Sequence, residues 1–254
     1  MKTDDHKCIV ELNSTEITCA IAKINNDKSI TIISHSKVES KGIHNGTIVN
    51  SLEVTKALRT CLSIAEEKAG IVLKKVNLIV ETTELSCTRL SKYRKIGGSK
   101  IHKDDIVFLL KEAKKEINLN DNKSSIIHIF NHNYVVDGKE FIKEPIDIYA
   151  DQLSHEMTFI TMSKNAIKNF NEIFINCDLE IERIISKNFA LAVNCLNNTD
   201  LHLGATLINM ELDKTSIGVF KSFALINYVV FPIGINHIAK DISRLCSVTI
   251  NEAS

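Results

Sequence analysis

The chain has 254 residues, 44% of them apolar and 24% charged, which is long enough to bury a real core and excludes a disordered tail. Lys plus Arg equals Asp plus Glu at 31 each, so no global field draws in nucleic acid or acidic lipid. Lys111, Lys114 and Lys115 read as one solvated helix face. The seven cysteines (Cys8, Cys19, Cys61, Cys87, Cys177, Cys195 and Cys246) are scattered and form no CxxC pair, as in a reduced interior. No charged-then-apolar leader opens the chain and no apolar run approaches the ~18 residues of a membrane span, so a cytoplasmic protein is expected.

In chain order, Lys7–Glu11 and Ile17–Ile24 read as strands joined by a tight Asn13-Ser14-Thr15 turn, followed by a strand at Ile30–His35. Gly42 and Gly46 bracket a loop. Ser51 or a neighbour caps a helix carrying Leu52, Leu58, Cys61, Leu62, Ala65 and Ala69 at helical spacing, which stops at Gly70. Val76–Val80 reads as a buried parallel strand.

Composition shifts over Ser86–Lys103, where Arg89, Lys92, Arg94, Lys95, Gly97 and Gly98 read as a basic linker. A helix follows at Lys103–Ile117, with Ile106, Val107, Leu110, Ala113 and Ile117 on one face. Strands at Ser125–Val136 and Glu140–Ile142 meet at Asp137-Gly138, a strong hairpin signal, and Ser154–Met162 is another strand. This is a small inserted α+β module.

The α/β pattern then returns. Ser163 caps a helix whose face is Ala166, Ile167, Phe170, Ile173 and Phe174, Leu179–Ile185 is a strand, and Asn188–Leu196 a short helix. Strands at Leu203–Met210, Thr215–Phe220 and Ala224–Phe231 follow, and Pro232-Ile233-Gly234 leads into a helix over Asn236–Leu245. Both halves open on three strands, a weak internal repeat.

The order of these elements, together with Gly42-Ile43-His44-Asn45-Gly46, His128 through Tyr134-Val135-Val136-Asp137-Gly138, Ile142-Lys143-Glu144-Pro145-Ile146, and Pro232-Ile233-Gly234-Ile235-Asn236-His237 with Asp241-Ile242, resembles FtsA, the actin-like cell-division family of bacteria. The resemblance runs from about Lys7 to Ala253. It implies an α/β, actin-like (ribonuclease H-like) fold, incomplete, with an inserted SHS2 (1C) module. Subdomain 1A would take residues 1–82 and 163–196, the SHS2 module 83–162, the 2A strands 197–234, and the start of a truncated 2B region 235–254. Family members bind ATP with Mg, polymerise at the inner membrane, tether the FtsZ ring and recruit later division proteins.

In the family the first phosphate loop reads Asp-x-Gly-Thr and the second Asp-x-Gly-Gly-Gly-Thr-Thr, the glycines letting backbone N–H groups approach phosphate. Here Glu11, Asn13 and Ser14, with Thr15 beside them, stand at the first loop. Asn209, Met210, Glu211, Leu212, Asp213, Lys214 and Thr215 stand at the second. The implied nucleotide positions are therefore the vestigial Glu11, Asn13, Ser14, Thr15, Asn209, Glu211, Asp213, Lys214 and Thr215. Side chains would fill the phosphate space, and Glu211 and Asp213 would face a triphosphate, each like-charge contact costing on the order of 1–4 kcal/mol. No catalytic residue, ATP turnover or cofactor is expected. The family's adenosine glycines, most of 2B and the membrane-targeting helix are expected to be missing. The strand faces of Leu207, Val219, Ile226, Val229 and Val230 would then lack cover, favouring self-association.

Other groupings carry less. His128 and His132, four apart on a strand, read as structural, with no metal; Asp104 and Asp105 read as helix-dipole partners. A Cys87–His102 nucleophile–base pair would need a coincidence of folding, and Ile126–Phe130 reads as a core strand rather than a partner-binding edge. Three functional readings remain: an FtsA-like scaffold of the septal division machinery linked to FtsZ, lying at the inner face of the membrane through its partners with no anchor of its own; an actin-like ATPase that still binds ATP; and a decayed remnant.

Overall fold

The computed structural model describes residues 6–141 and 143–253. Period-2 alternation builds its first sheet. β1 (His6–Leu12) and β2 (Glu16–Ile24) pair antiparallel and bury Cys8, Val10 and Leu12 with Ile17, Cys19 and Ile21. β3 (Ile30–Glu39) adds to β2, and its buried Ser34 and Ser36 donate to the carbonyls of Ala65 (2.8 Å) and Cys61 (2.7 Å). The segment expected as a plain loop is a small hairpin, β4 (Ile43–His44) and β5 (Thr47–Ile48), turned by Asn45 and Gly46 at φ 50° and 74°. A Cβ on Gly46 would lie 1.8 Å from the Glu81 carbonyl oxygen, so only glycine lets the hairpin tip lie there.

α1 (Ser51–Ala69) is capped by Asn50, whose Oδ1 accepts from Glu53 N at 3.3 Å, and ends at Gly70 in the left-handed region. It buries Val54, Leu58, Cys61, Leu62 and Ala65 against the sheet. β6 (Lys75–Val80) runs parallel to β1.

The basic stretch expected to be a linker is β7 (Leu85–Lys100), a 16-residue strand. Three of its cations are matched by acids: Arg89 pairs with Glu156 at 2.7 Å, Lys92 with Glu116, and Arg94 with Asp105 at 3.2 Å. α2 (Lys103–Asn120) buries Ile106, Leu109, Ala113 and Ile117; Val107, expected on that face, is instead exposed, because the helix settles on the 106–109–113–117 stripe. β8 (Ser124–Val136) and β9 (Lys139–Phe141) meet at Asp137-Gly138, both with positive φ (46° and 82°), as the strand twist requires. Ile142, the end of the expected second strand, lies outside the described residues.

β10 (Tyr149–Ser163) is longer than the expected Ser154–Met162 and central, the order being β7-β10-β8-β9. This sheet is separate from the one built on β1. On β10, buried His155 stacks on Tyr134 at 4.3 Å between ring centres, and burial holds its pKa down at about 4, so it packs as a neutral ring.

α3 (Lys164–Ile175) starts at Ser163, whose hydroxyl accepts from Ala166 N at 3.4 Å, and buries Ala166, Phe170, Ile173 and Phe174. β11 (Glu180–Ser186) runs parallel to β6 and completes the order β11-β6-β1-β2-β3. α4 (Lys187–Cys195) follows, and then α5 (Asn198–Leu203), where a strand start was expected at Leu203. Asn197 and Asp200 satisfy each other's backbone N–H groups in a capping box, which holds that turn helical. The third sheet is an antiparallel meander, β12 (Ala205–Met210), β13 (Thr215–Lys221) and β14 (Ala224–Phe231), with β14 lying against β7 and β8. α6 (Ile235–Cys246) and α7 (Ile250–Ala253) close the described chain.

The uncovered face of that third sheet differs from the expected one. Cross-strand pairing puts Leu207 opposite Gly218 and Tyr228, and Asn209 opposite Ser216 and Val230, so Leu207 and Val230 turn inward to the core. A bulge displaces Ile226 from the alternation. The outward set is Ile208, Met210, Ile217, Val219, Val229 and Phe231, with Ile208 60% exposed. Leu245 on α6 is also exposed, at 85%.

Candidate functional site

In open sheets with parallel strands, ligands sit beyond the carboxyl ends of those strands. Here β1, β6 and β11 end at Glu11-Leu12, Val80-Glu81 and Ser186-Lys187, facing the β12–β13 loop across a cleft. That cleft is filled by the chain's own charges. Lys187 Nζ lies 2.5 Å from Glu11 Oε1 and 2.6 Å from Glu211 Oε1. Lys214 Nζ, 1% exposed, lies 2.5 Å from Glu211 Oε2, 3.4 Å from Asp213 Oδ1, and donates to Asn13 Oδ1 at 3.1 Å. Asp213 Oδ2 accepts from the Ser14 hydroxyl and from Asn45 N (2.7 Å), with His44 Nδ1 at 3.8 Å.

Burial alone would raise the carboxyl pKa values and lower that of Lys187. For Glu211 the contacts with Lys187 and Lys214 outweigh burial and hold the pKa below its ordinary value. Ser14, the Asn45 amide and Lys214 do the same for Asp213, and Glu11 with Glu211 holds Lys187 above its own. Glu211, Asp213 and Lys187 are therefore charged near neutral pH.

Behind them sits a second, nearly uncharged network. Glu81, 3% exposed, accepts from Ser216 Oγ (3.0 Å), Asn188 N (3.0 Å) and the Tyr228 hydroxyl. Asn188 Nδ2 donates to Ser216 Oγ at 3.1 Å and to the Leu207 carbonyl at 3.3 Å. Burial dominates and pushes the Glu81 pKa up to about 8, although Ser216 and the Asn188 amide favour the carboxylate. With the proton on Glu81, the Tyr228 hydroxyl turns to accept.

Of the residues singled out in the sequence, Glu11, Asn13, Ser14, Asn209, Glu211, Asp213 and Lys214 meet in this cleft; Asn209 Nδ2 donates to Glu211 Oε1 at 3.2 Å. Thr15 and Thr215 do not join them. Thr15 is exposed and its carbonyl accepts from Ser40 N, while Thr215 Oγ1 turns to the Ile233 carbonyl at 2.6 Å. Gly234 is held so close that a Cβ would lie 2.3 Å from the Glu211 carbonyl oxygen, and the N–H groups of Ile235 and Asn236 donate to the carbonyls of Glu211 and Leu212, both at 2.9 Å. The first N–H groups of α6 are thus spent on the loop instead of an anion. Sequence reasoning missed Lys187, Glu81, Asn188, Ser216 and Tyr228. The signal available for the first two was position: each lies just past a parallel strand.

The other groupings separate. His128 Nε2 accepts from Ser186 N at 3.1 Å and its ring lies against Phe130 and Phe189, whereas His132 is buried near Glu156 beyond a register shift. Asp105 accepts from His102 N at 2.8 Å, a capping role. Cys87 lies near the start of β7 and His102 beyond its far end, so the two form no pair. The Ile126–Phe130 run is both core and edge. It pairs with β10 on one side, while on the other, among the described residues, β9 pairs with Tyr134–Val136. Between this free edge and that of β11 opens a cavity of about 660 Å³, lined by Ile126, Ile127, His128, Ile181, Arg183 and Phe189 among others.

A family model described as "SHS2 domain inserted in FTSA" matches residues 83–161, the β7–β10 region. Cell division protein FtsA of Agrobacterium fabrum is 23% identical over 255 residues, covering 96% of this chain and 57% of the relative. The chain is thus similar to FtsA along almost its whole length. FtsA of Escherichia coli K12 is 21% identical over 245 residues, covering 96% and 58%. The chain thus spans little more than half the length of these relatives. Among solved structures, the PilM-PilN type IV pilus biogenesis complex matches with a TM-score of 0.69 at 8% identity, over 97% of this chain and 67% of that one. The ethanolamine utilization protein EutJ of Carboxydothermus hydrogenoformans matches with a TM-score of 0.54 at 10% identity, over 98% and 59%. The fold is actin-like with an inserted SHS2 module. Among the described residues, no helix is long and apolar enough to cross a membrane.

Proposed function

We propose that the chain is an FtsA-like docking component of the division machinery, linked to the FtsZ ring, held at the inner membrane face by its partners, and working without ATP binding or turnover. The observation carrying this reading is the match to FtsA over 96% of the chain combined with a cleft occupied by Lys187 and Lys214. In this reading residues 1–82 and 163–196 form subdomain 1A, 83–162 the SHS2 module, 197–234 the 2A strands and 235–254 the beginning of 2B. The surface for a partner is the groove between the free edges of β8 and β11, and its occupant is an extended apolar segment of a division protein. Two unpaired strand edges offer backbone donors and acceptors to such a segment, and isoleucines supply contact area.

The test places a charge in that groove. Ile184→Asp, on β11, should reduce the fraction of fluorescently tagged chain at the division ring by about tenfold, which is ~1.4 kcal/mol of binding. Circular dichroism should show the fold intact. A folded variant that still localises at the ring to the same extent would count against the groove; an unaltered chain that never localises there would count against the division role itself.

A further inference from the structure

We propose that Lys187 and Lys214 form an internal latch that holds the cleft closed in place of a bound nucleotide. This deepens the nucleotide-free reading above and rests on it. The latch ties five separate parts of the chain: the end of β1 through Glu11, the β1–β2 turn through Asn13 and Ser14, the β4–β5 hairpin through the Asn45 amide, the start of α4 through Lys187, and the β12–β13 loop through Glu211, Asp213 and Lys214. Its charges nearly balance, two ammonium groups against Glu11, Glu211 and Asp213. Glu211 is shared by both lysines, so the loss of either weakens the hold on a buried carboxylate.

The geometry also makes the latch exclusive. A triphosphate brings several negative charges and needs backbone N–H donors, but several amides around the cleft are already engaged. Asn45 N is spent on Asp213, Glu211 N on the Lys214 carbonyl at 2.8 Å, and the first N–H groups of α6 on the loop carbonyls. An incoming phosphate would have to displace Glu211 from both lysines and Asp213 from Lys214. The two halves of the fold, the β1 sheet and the β12–β14 meander, are therefore fixed in one relation by the chain itself, and a partner meets a cleft already closed.

Hydrogen exchange on the full chain, with and without millimolar Mg–ATP, tests this. Amides of residues 12–16 and 209–215 in the unaltered chain should be equally protected in both conditions. Lys187→Met/Lys214→Met should accelerate their exchange about tenfold or more while β8 and β10 keep their protection, and Lys187→Arg/Lys214→Arg should retain much of the protection. Should the double Met variant loosen β8 and β10 as well, Ser14→Ala decides: faster exchange confined to these two segments supports the latch, and no change overturns it. Unaltered protection in a folded double Met variant overturns the latch and leaves partner docking standing. Protection that the unaltered chain gains only on adding Mg–ATP overturns the latch and the nucleotide-free reading together.

Discussion

Lys214→Met should lower the unfolding free energy by about 3 kcal/mol, the lower part of the range for removing one partner of a buried ion pair. Lys214 is 1% exposed and its ammonium meets Glu211, Asp213 and Asn13, so the substitution leaves two carboxylates short of a counter-ion in a place water barely reaches. Lys187 still faces Glu211 at 2.6 Å, which keeps the loss from being larger. For a chain of this size the melting temperature should fall by roughly 6–12 °C. Adding Glu211→Gln should recover part of the loss, because one stranded charge disappears with it. Urea unfolding of the three proteins checks this; a Lys214→Met loss under about 1 kcal/mol would mean that the ammonium is solvated and that the cleft is open.

Glu81→Gln should act with the opposite sign, and in a pH-dependent way. The folded-state pKa of Glu81 is raised from 4.5 to about 8, chiefly by burial. Below pH 4.5 both folded and unfolded chains carry the proton, and the site's contribution is fully present. Between 4.5 and 8 the unfolded chain ionises while the folded one keeps its proton, so stability is lost as pH rises. At 1.36 kcal/mol per unit the limit is on the order of 5 kcal/mol by pH 8. Glutamine does not titrate, so the variant should gain on the unaltered chain steadily from pH 5 to pH 8. At pH 5 the two should differ little, since the amide also fills the space between Tyr228, Ser216 and Asn188. Parallel stability profiles for the two proteins across that range would show that Glu81 is ionised throughout.

Much of this architecture was legible because it follows backbone periodicity. β14 falls on Ala224–Phe231 as the apolar run placed it, the Asp137-Gly138 hairpin has the left-handed turn that pair favours, and Gly70 stops α1 in the left-handed region. β7 was hidden because its cations read as a linker, and only the acids of α2 and β10 show that they are paired. α5 was hidden because its six residues carry a capping box but no apolar stripe to reveal a helix.

The cleft was half legible. Both loops could be placed from the glycines they lack, so Glu11, Asn13, Ser14, Glu211, Asp213 and Lys214 were in view. What the sequence could not show is the sign of their joint effect. Glu211 and Asp213 read as charges facing a phosphate, whereas in the fold Lys187, brought in from α4 across 176 positions, and Lys214 neutralise them. Glu81 was invisible for a related reason: a single acid after a strand looks like a surface residue until the meander lays Ser216 and Tyr228 over it. The uncovered face of the meander was placed one residue out of phase at Leu207 and Val230, because the alternation alone does not say which side faces the core.

The most direct measurement of the account is a calorimetric titration of the full, unaltered chain with Mg–ATP. A cleft occupied by Lys187 and Lys214 predicts no saturable binding below roughly millimolar ATP, under about 4 kcal/mol of binding free energy. A dissociation constant in the micromolar range would contradict it, because a triphosphate could then displace Glu211 from both lysines and Asp213 from Lys214.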